Sequence, residues 1–89
     1  MPTREVEIIN KLGMHARAAA KFVNLASSYS ADLEVEKGNR RVNGKSIMGI
    51  MMLAASRGTT VRLIAEGEDA KQALDALEGL IGDRFGEPE

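Results

Sequence analysis

The chain has no cysteine, no tryptophan and a single histidine among its 89 residues. Without cysteine there is no disulfide, no thiolate nucleophile and no Cys-ligated metal, and one histidine cannot assemble a zinc or iron site by itself. No metal or cofactor is expected: one domain of this size has no room for a deep cofactor cleft or a separate substrate domain. The only aromatics are Phe22, Tyr29 and Phe85, so the core must be built from Val, Ile, Leu, Ala and five methionines. The bases of single-stranded nucleic acid would find few rings to stack on. Twelve basic against thirteen acidic residues give a formal charge of -1, which offers nothing to a phosphate backbone. No apolar run reaches membrane-spanning length, and Met1-Pro2-Thr3-Arg4-Glu5 does not start a signal peptide. We therefore expect a cytoplasmic protein without membrane insertion, folded as a single domain over residues 1–89 with a frayed tail after Arg84.

What the chain does have is short, regular patterning. Val6 and Ile8 alternate with Glu5 and Glu7, predicting a half-buried first strand. Ala16, Ala19, Ala20, Val23 and Ala26 follow helical spacing from Ala16 to about Ser28. Leu33 and Val35 alternate with Asp32, Glu34 and Glu36, and Gly38-Asn39 supplies a hairpin turn into a short strand over Arg40 to Asn43. Asn43-Gly44 turns again, Ser46 is placed to cap a short helix over Ile47 to Leu53, and Gly58 ends that region. Val61, Leu63 and Ala65 alternate with Arg62, Ile64 and Glu66 in a fourth strand. Ala70, Ala73, Leu74, Leu77 and Ile81 mark a last helix, capped by Glu68 or Asp69 and closed by Gly82. The order β-α-β-β-α-β-α predicts an α+β open-faced sandwich: a four-stranded, mostly antiparallel sheet with three helices on one face. The first β-α-β unit is split, with another strand between its two strands.

Two stretches stand out. In Leu12-Gly13-Met14-His15-Ala16-Arg17-Ala18-Ala19-Ala20 a glycine turn delivers the only imidazole to the start of a helix, with an arginine two residues on. An imidazole can attack phosphorus, free helix N–H groups and the helix dipole favour an anion, and a guanidinium pairs with phosphate oxygens. On its own, His15 reads equally as a surface histidine that precedes a helix. The second stretch, Lys45-Ser46-Ile47-Met48-Gly49-Ile50-Met51-Met52-Leu53, is apolar nearly all round. So short a helix cannot bury every side, so Ile50 and Leu53 should face inward and Met48 and Met51 at least partly outward. Exposed, flexible methionines suit a surface that docks several partners, although methionine more often fills an irregular core.

Together the two stretches resemble the HPr phosphocarriers of the bacterial phosphotransferase system. The spacing of His15 and Ser46 fits that family, as does the approach Ala65-Glu66-Gly67-Glu68-Asp69-Ala70 to the last helix, and the resemblance runs over almost the whole chain. It implies a carrier that accepts phosphoryl on His15 from phosphorylated enzyme I, charged by phosphoenolpyruvate, and passes it to a IIA-type acceptor. It also implies attack through Nδ1. Sugar-branch members usually carry proline where this chain has Ala18, and many differ at Gly44. Ala18-Ala19-Ala20 and Asn10-Lys11-Leu12 resemble more closely the nitrogen-branch paralogue, NPr.

Each site residue then has a role by its chemistry. The helix pole disfavours the imidazolium and leaves a lone pair free to attack, and the amides of Ala16 to Ala18 receive the new anion. Arg17 bridges phosphate oxygens; otherwise it is a cation at the wrong end of a helix. Ser46 is an N-cap, and in some lineages the resemblance adds its phosphorylation by an ATP-dependent HPr kinase/phosphorylase, placing charge in the docking surface. Ala20, Ile47, Met48 and Met51 would form that surface. A stand-alone enzyme would need a base, metal set or second catalytic group that is not present beside His15. A docking module of the same fold would not need His15 and Arg17 at a helix start. A carrier that meets successive partners has reason to be a monomer.

Overall fold

The computed structural model describes residues 2–89. Its elements are β1 (Thr3–Glu7), α1 (Ala16–Ser27), β2 (Asp32–Lys37), β3 (Arg40–Asn43), α2 (Ile47–Met52), β4 (Thr60–Glu66), α3 (Ala70–Gly82) and a closing 3-10 turn at Arg84–Gly86. The sheet order is β1-β4-β2-β3, and every neighbouring pair is antiparallel. β4 thus lies between β1 and β2, the split arrangement that the sequence predicts.

One face of the sheet carries Val61, Leu63, Ala65, Leu33 and Val35, all buried against the helices. The other carries charged pairs. Arg62 of β4 lies 3.3 Å from Glu5 and 3.7 Å from Glu36 on the strands either side, and Arg41 meets Glu34 and Glu36. Exposed pairs like these contribute about 0–1 kcal/mol each. Ile64 is on this outer face yet is only 5% exposed, whereas alternation places it in solvent. It lies on the inner strand with Thr3 and Glu34 opposite it in register, and their side chains flank it.

α1 buries Ala19, Val23 and Ala26 as its spacing predicts, but its inward face is rotated slightly from the stripe expected. Ala18, Ala19, Phe22, Val23 and Ala26 are buried, while Ala16 is exposed and Ala20 half-buried. Alanines bury too little to set a helix's rotation; Phe22, fully buried, sets it. α2 ends at Met52, one residue early, and Ala54 then adopts a left-handed φ of 52°. Lys37 and Arg40 of the β2–β3 hairpin donate to the carbonyls of Leu53, Ala54 and Met52, placing cations at that helix C-terminus. Gly44 is explained by packing, since a Cβ there would come within 3.1 Å of Leu33 Cβ.

α3 buries the predicted Ala70, Ala73, Leu74, Leu77 and Ile81, but both of its ends differ from expectation. Gly82 is the last helical residue, and the left-handed turn comes later, at Arg84, Phe85 and Gly86. Asp69 occupies the N-cap position without capping its own helix. Its carboxylate accepts instead from the backbone N–H groups of Ser30 (2.9 Å) and Ala31 (2.8 Å), stapling the α1–β2 loop to the start of α3.

The Ser30 N–H bond, with that of Ala31, holds the Asp69 carboxyl below its ordinary value of 3.8 against the opposing effect of burial. A depressed carboxyl stabilises the fold above its unfolded value and loses that contribution as pH falls through its folded value. At neutral pH Asp69→Asn should therefore melt below the unsubstituted protein. The gap should close as pH is lowered below 3.8, which paired thermal melts across that range would read. A gap independent of pH would mean that charge plays no part in the staple.

The tail after Arg84 is not frayed. Phe85 is fully buried, Lys21 Nζ donates to its carbonyl at 2.6 Å, and the Lys11 N–H bonds to the Glu89 carbonyl at 2.8 Å. One of the chain's two phenylalanines anchors the strap and returns it across the His15 turn.

Candidate functional site

The turn before α1 is clamped from two sides. The Gly13 N–H donates to the Asn10 carbonyl, and Asn10 Nδ2 donates back to the Gly13 carbonyl at 2.8 Å. The Met14 N–H reaches the Ala55 carbonyl at 2.8 Å, and the Met14 side chain is buried. Gly13 has φ +65°, and a Cβ there would lie 2.7 Å from Ala55 O and 2.8 Å from Ser56 Cα, both backbone atoms that cannot yield. Only glycine fits.

This clamp presents His15 as the N-cap of α1, with φ -74° and ψ 177°. Its side chain makes no capping bond. The first helical bond runs from Ala19 N–H to the His15 carbonyl, so the N–H groups of Ala16, Arg17 and Ala18 precede the helical ladder and point out of its positive end. The imidazole is half-buried, and its Nε2 pairs with the Glu87 carboxylate on the returning strap. The other Glu87 oxygen accepts from Asn10 Nδ2 at 3.0 Å. These bonds, that of Asn10 first and then that of His15, hold Glu87 below the usual carboxylate range although burial opposes them. Arg17 is exposed and lines the same open cleft as Lys11, Leu12, His15, Glu87 and Pro88. Neither Asn10 nor Glu87 was evident as a site residue from the sequence. The usable signal was an isolated Phe85 in a chain poor in aromatics, which marks the tail as anchored.

The second stretch folds as its pattern predicts. Ser46 Oγ accepts from the Gly49 N–H at 3.0 Å, so Ser46 is the N-cap of α2. Gly49 lies against β3, where a Cβ would meet Val42 Cβ at 3.2 Å. Ile50 and Leu53 are buried, while Ile47, Met48, Met51 and Met52 are 42%, 73%, 43% and 62% exposed. Leu12, in the His15 turn, adds another exposed apolar side chain. Exposed apolar side chains of this kind on a small domain suit an interaction site.

A small domain with its one imidazole at an open helix start and an apolar helix beside it has the architecture of a protein that carries a group between partners. Residues 2–83 match the family model of the PTS HPr component phosphorylation site. A phosphocarrier protein HPr of Neisseria meningitidis is 52% identical over the full length of both chains. A phosphocarrier protein NPr of Shewanella violacea is 42% identical over 94% of this chain and 92% of its own. The crystal structure of an HPr from Thermoanaerobacter tengcongensis superposes with a TM-score of 0.96 at 52% identity, covering all of both chains. The chain belongs to the HPr family and is a phosphocarrier of the phosphotransferase system. No helix among the described residues is long and apolar enough to cross a membrane.

Proposed function

We propose that His15 accepts and donates the phosphoryl group, taking it from phosphorylated enzyme I and passing it to a IIA-type acceptor of the nitrogen-related branch. The observation that carries the first part is an N-cap histidine that does not cap, leaving the Ala16 to Ala18 amides open beside it. In this reading those amides and the Arg17 guanidinium receive the phosphate oxygens. Attack is through Nδ1, since Nε2 is engaged by Glu87. Ala20, Ile47, Met48 and Met51 contact the partners, and the carrier works as a monomer that meets them in turn. Ser46 phosphorylation, in hosts with an HPr kinase/phosphorylase, would place a dianion in that surface and slow docking.

The nitrogen branch is supported by Ala18, which keeps at the helix start an N–H that proline would lack. A general sugar-branch carrier is the second reading, favoured because the 52% identical relative is named HPr and the one named NPr is 42% identical. The deciding experiment is the ratio of transfer rates from the phosphorylated protein to a nitrogen-type and a sugar-type IIA of one host. The nitrogen-type acceptor is expected to be faster; a sugar-type preference would reverse the assignment. One well-placed interface residue shifts affinity by about 1–2 kcal/mol, so the answer lies in the ratio rather than in presence or absence of transfer.

Met48 tests the docking surface. At 73% exposure, Met48→Asp leaves the core untouched. It should weaken binding to enzyme I about tenfold or more through desolvation of a carboxylate in an apolar contact. Titration calorimetry and the far-UV spectrum report the two effects separately. Unchanged affinity would remove α2 from the interface.

A further inference from the structure

We infer that Glu87 is a positioning residue for phosphoryl transfer: its carboxylate holds the proton on Nε2 of His15, keeps the lone pair on Nδ1, and meets the positive charge that the ring acquires as Nδ1 is phosphorylated. The inference rests on the reading of His15 as the acceptor and assigns a task to a residue outside the two stretches that carry the family resemblance.

The geometry is specific. Glu87 spans two groups, one oxygen on His15 Nε2 and the other on Asn10 Nδ2 at 3.0 Å. Asn10 is itself fully buried and bonded to the Gly13 carbonyl, so the carboxylate is tied to the turn that orients the imidazole. The strap beneath it is fixed by the buried Phe85 ring, by Lys21 on the Phe85 carbonyl, and by the Lys11 N–H on the Glu89 carbonyl. The charged groups around the pair are Lys21, which acts on Glu87, and Lys11, Arg17 and Glu89 in the cleft, where Lys11 pairs with Glu89. Neither Glu87 oxygen bonds any of these among the described residues, so both remain on His15 and Asn10.

A ring nitrogen that donates to a carboxylate fixes the tautomer, and the partner nitrogen becomes the nucleophile. In the transfer step the Nδ1 lone pair forms the new bond to phosphorus as the donor's bond to phosphorus breaks, its electron pair staying on the donor. Nε2 keeps its proton, so the ring becomes a cation, stabilised by the carboxylate it faces. The same dyad logic holds a catalytic imidazole between a carboxylate and its reacting partner in hydrolases. In reverse, a ring still carrying its Nε2 proton is the better leaving group, which suits a carrier that must release its cargo.

The test uses the full chain and two substitutions, Glu87→Ala and Glu87→Gln, with folding checked by the far-UV spectrum. Proton NMR of the Nε2–H, unambiguous in a chain with one histidine, reads the contact in the unphosphorylated protein. Labelling by phosphoramidate, a small phosphoryl donor that needs no partner protein, reads its consequence. The Nε2 proton should be observable and shifted downfield in the unsubstituted protein, exchange at least about tenfold faster in Glu87→Ala, and stay protected in Glu87→Gln, which keeps an acceptor oxygen. Labelling should slow about tenfold in Glu87→Ala and also slow in Glu87→Gln, which lacks the charge. An Nε2 proton that exchanges equally fast with and without Glu87, or equal labelling rates in all three proteins, overturns the inference. No label on the unsubstituted protein would overturn the reading of His15 first and this inference with it.

Discussion

His15→Ala is expected to abolish phosphoryl labelling by phosphoenolpyruvate and enzyme I. The loss should be complete, because the chain contains no second histidine and no cysteine to which the group could migrate. The label on the unsubstituted protein should be single, acid-labile and base-stable, as a phosphoramidate bond is and a serine phosphate is not. Stability should change little. An effective N-cap contributes about 0.5–2 kcal/mol, but the His15 side chain makes no capping bond. What the substitution removes from the fold is one half-buried contact to Glu87. Radiolabel incorporation and a thermal melt separate loss of chemistry from loss of fold. Label persisting in His15→Ala would move the acceptor elsewhere and undo the assignment of the site.

Phe85→Ala is expected to cost about 3–5 kcal/mol, as truncation of a buried aromatic generally does. The ring is fully buried, and its residue and the preceding Arg84 both sit in the left-handed region, at φ 55° and 56°. Each such conformation costs a non-glycine residue roughly 1–2 kcal/mol, so burial of the ring is what holds this turn in place. Without it the turn should relax and the strap leave the surface, taking Glu87 from His15. For a domain of this size, 1 kcal/mol corresponds to about 4–8 °C in melting temperature, so a fall of more than about 12 °C is expected. A loss below about 1 kcal/mol would mean that the tail contributes no fixed structure. The two substitutions divide the site. His15→Ala is expected to remove the chemistry and spare the fold, and Phe85→Ala to remove the support behind it.

Most of the fold was legible because its elements are short and their patterns clean. Leu33 and Val35 alternate with charged neighbours, and Ala73, Leu74, Leu77 and Ile81 recur at helical spacing; both sets are buried as the pattern requires. Ser46 caps α2 as its residue type predicts. Misreadings occurred where a local signal was degenerate. The alanines of α1 fit more than one rotation, and the bulk of Phe22 selected among them. Ile64 alternates onto the solvent face, but an inner strand is covered by its neighbours. Asp69 looks like an N-cap and spends its carboxylate on a loop nearly forty residues earlier in the chain (Ser30 and Ala31). Gly82 looks like a helix stop, but the left-handed turn is made by Arg84 and Phe85, where conformational propensity argues against it.

The sequence by itself determined the placing of the single imidazole at a helix start, the capped and outward-facing methionine helix, and the split α+β order, because each depends on residues within a few positions of one another. Only the tertiary structure decided what surrounds His15. Glu87 is 77 residues from Asn10 and 72 from His15, and no local pattern links a residue near the beginning of the chain to one near its end. A tail read alone, ending in Gly86-Glu87-Pro88-Glu89, has no reason to be ordered. It becomes ordered when one buried ring and the hydrogen bonds from Asn10, Lys11, His15 and Lys21 outweigh the entropy of fixing it.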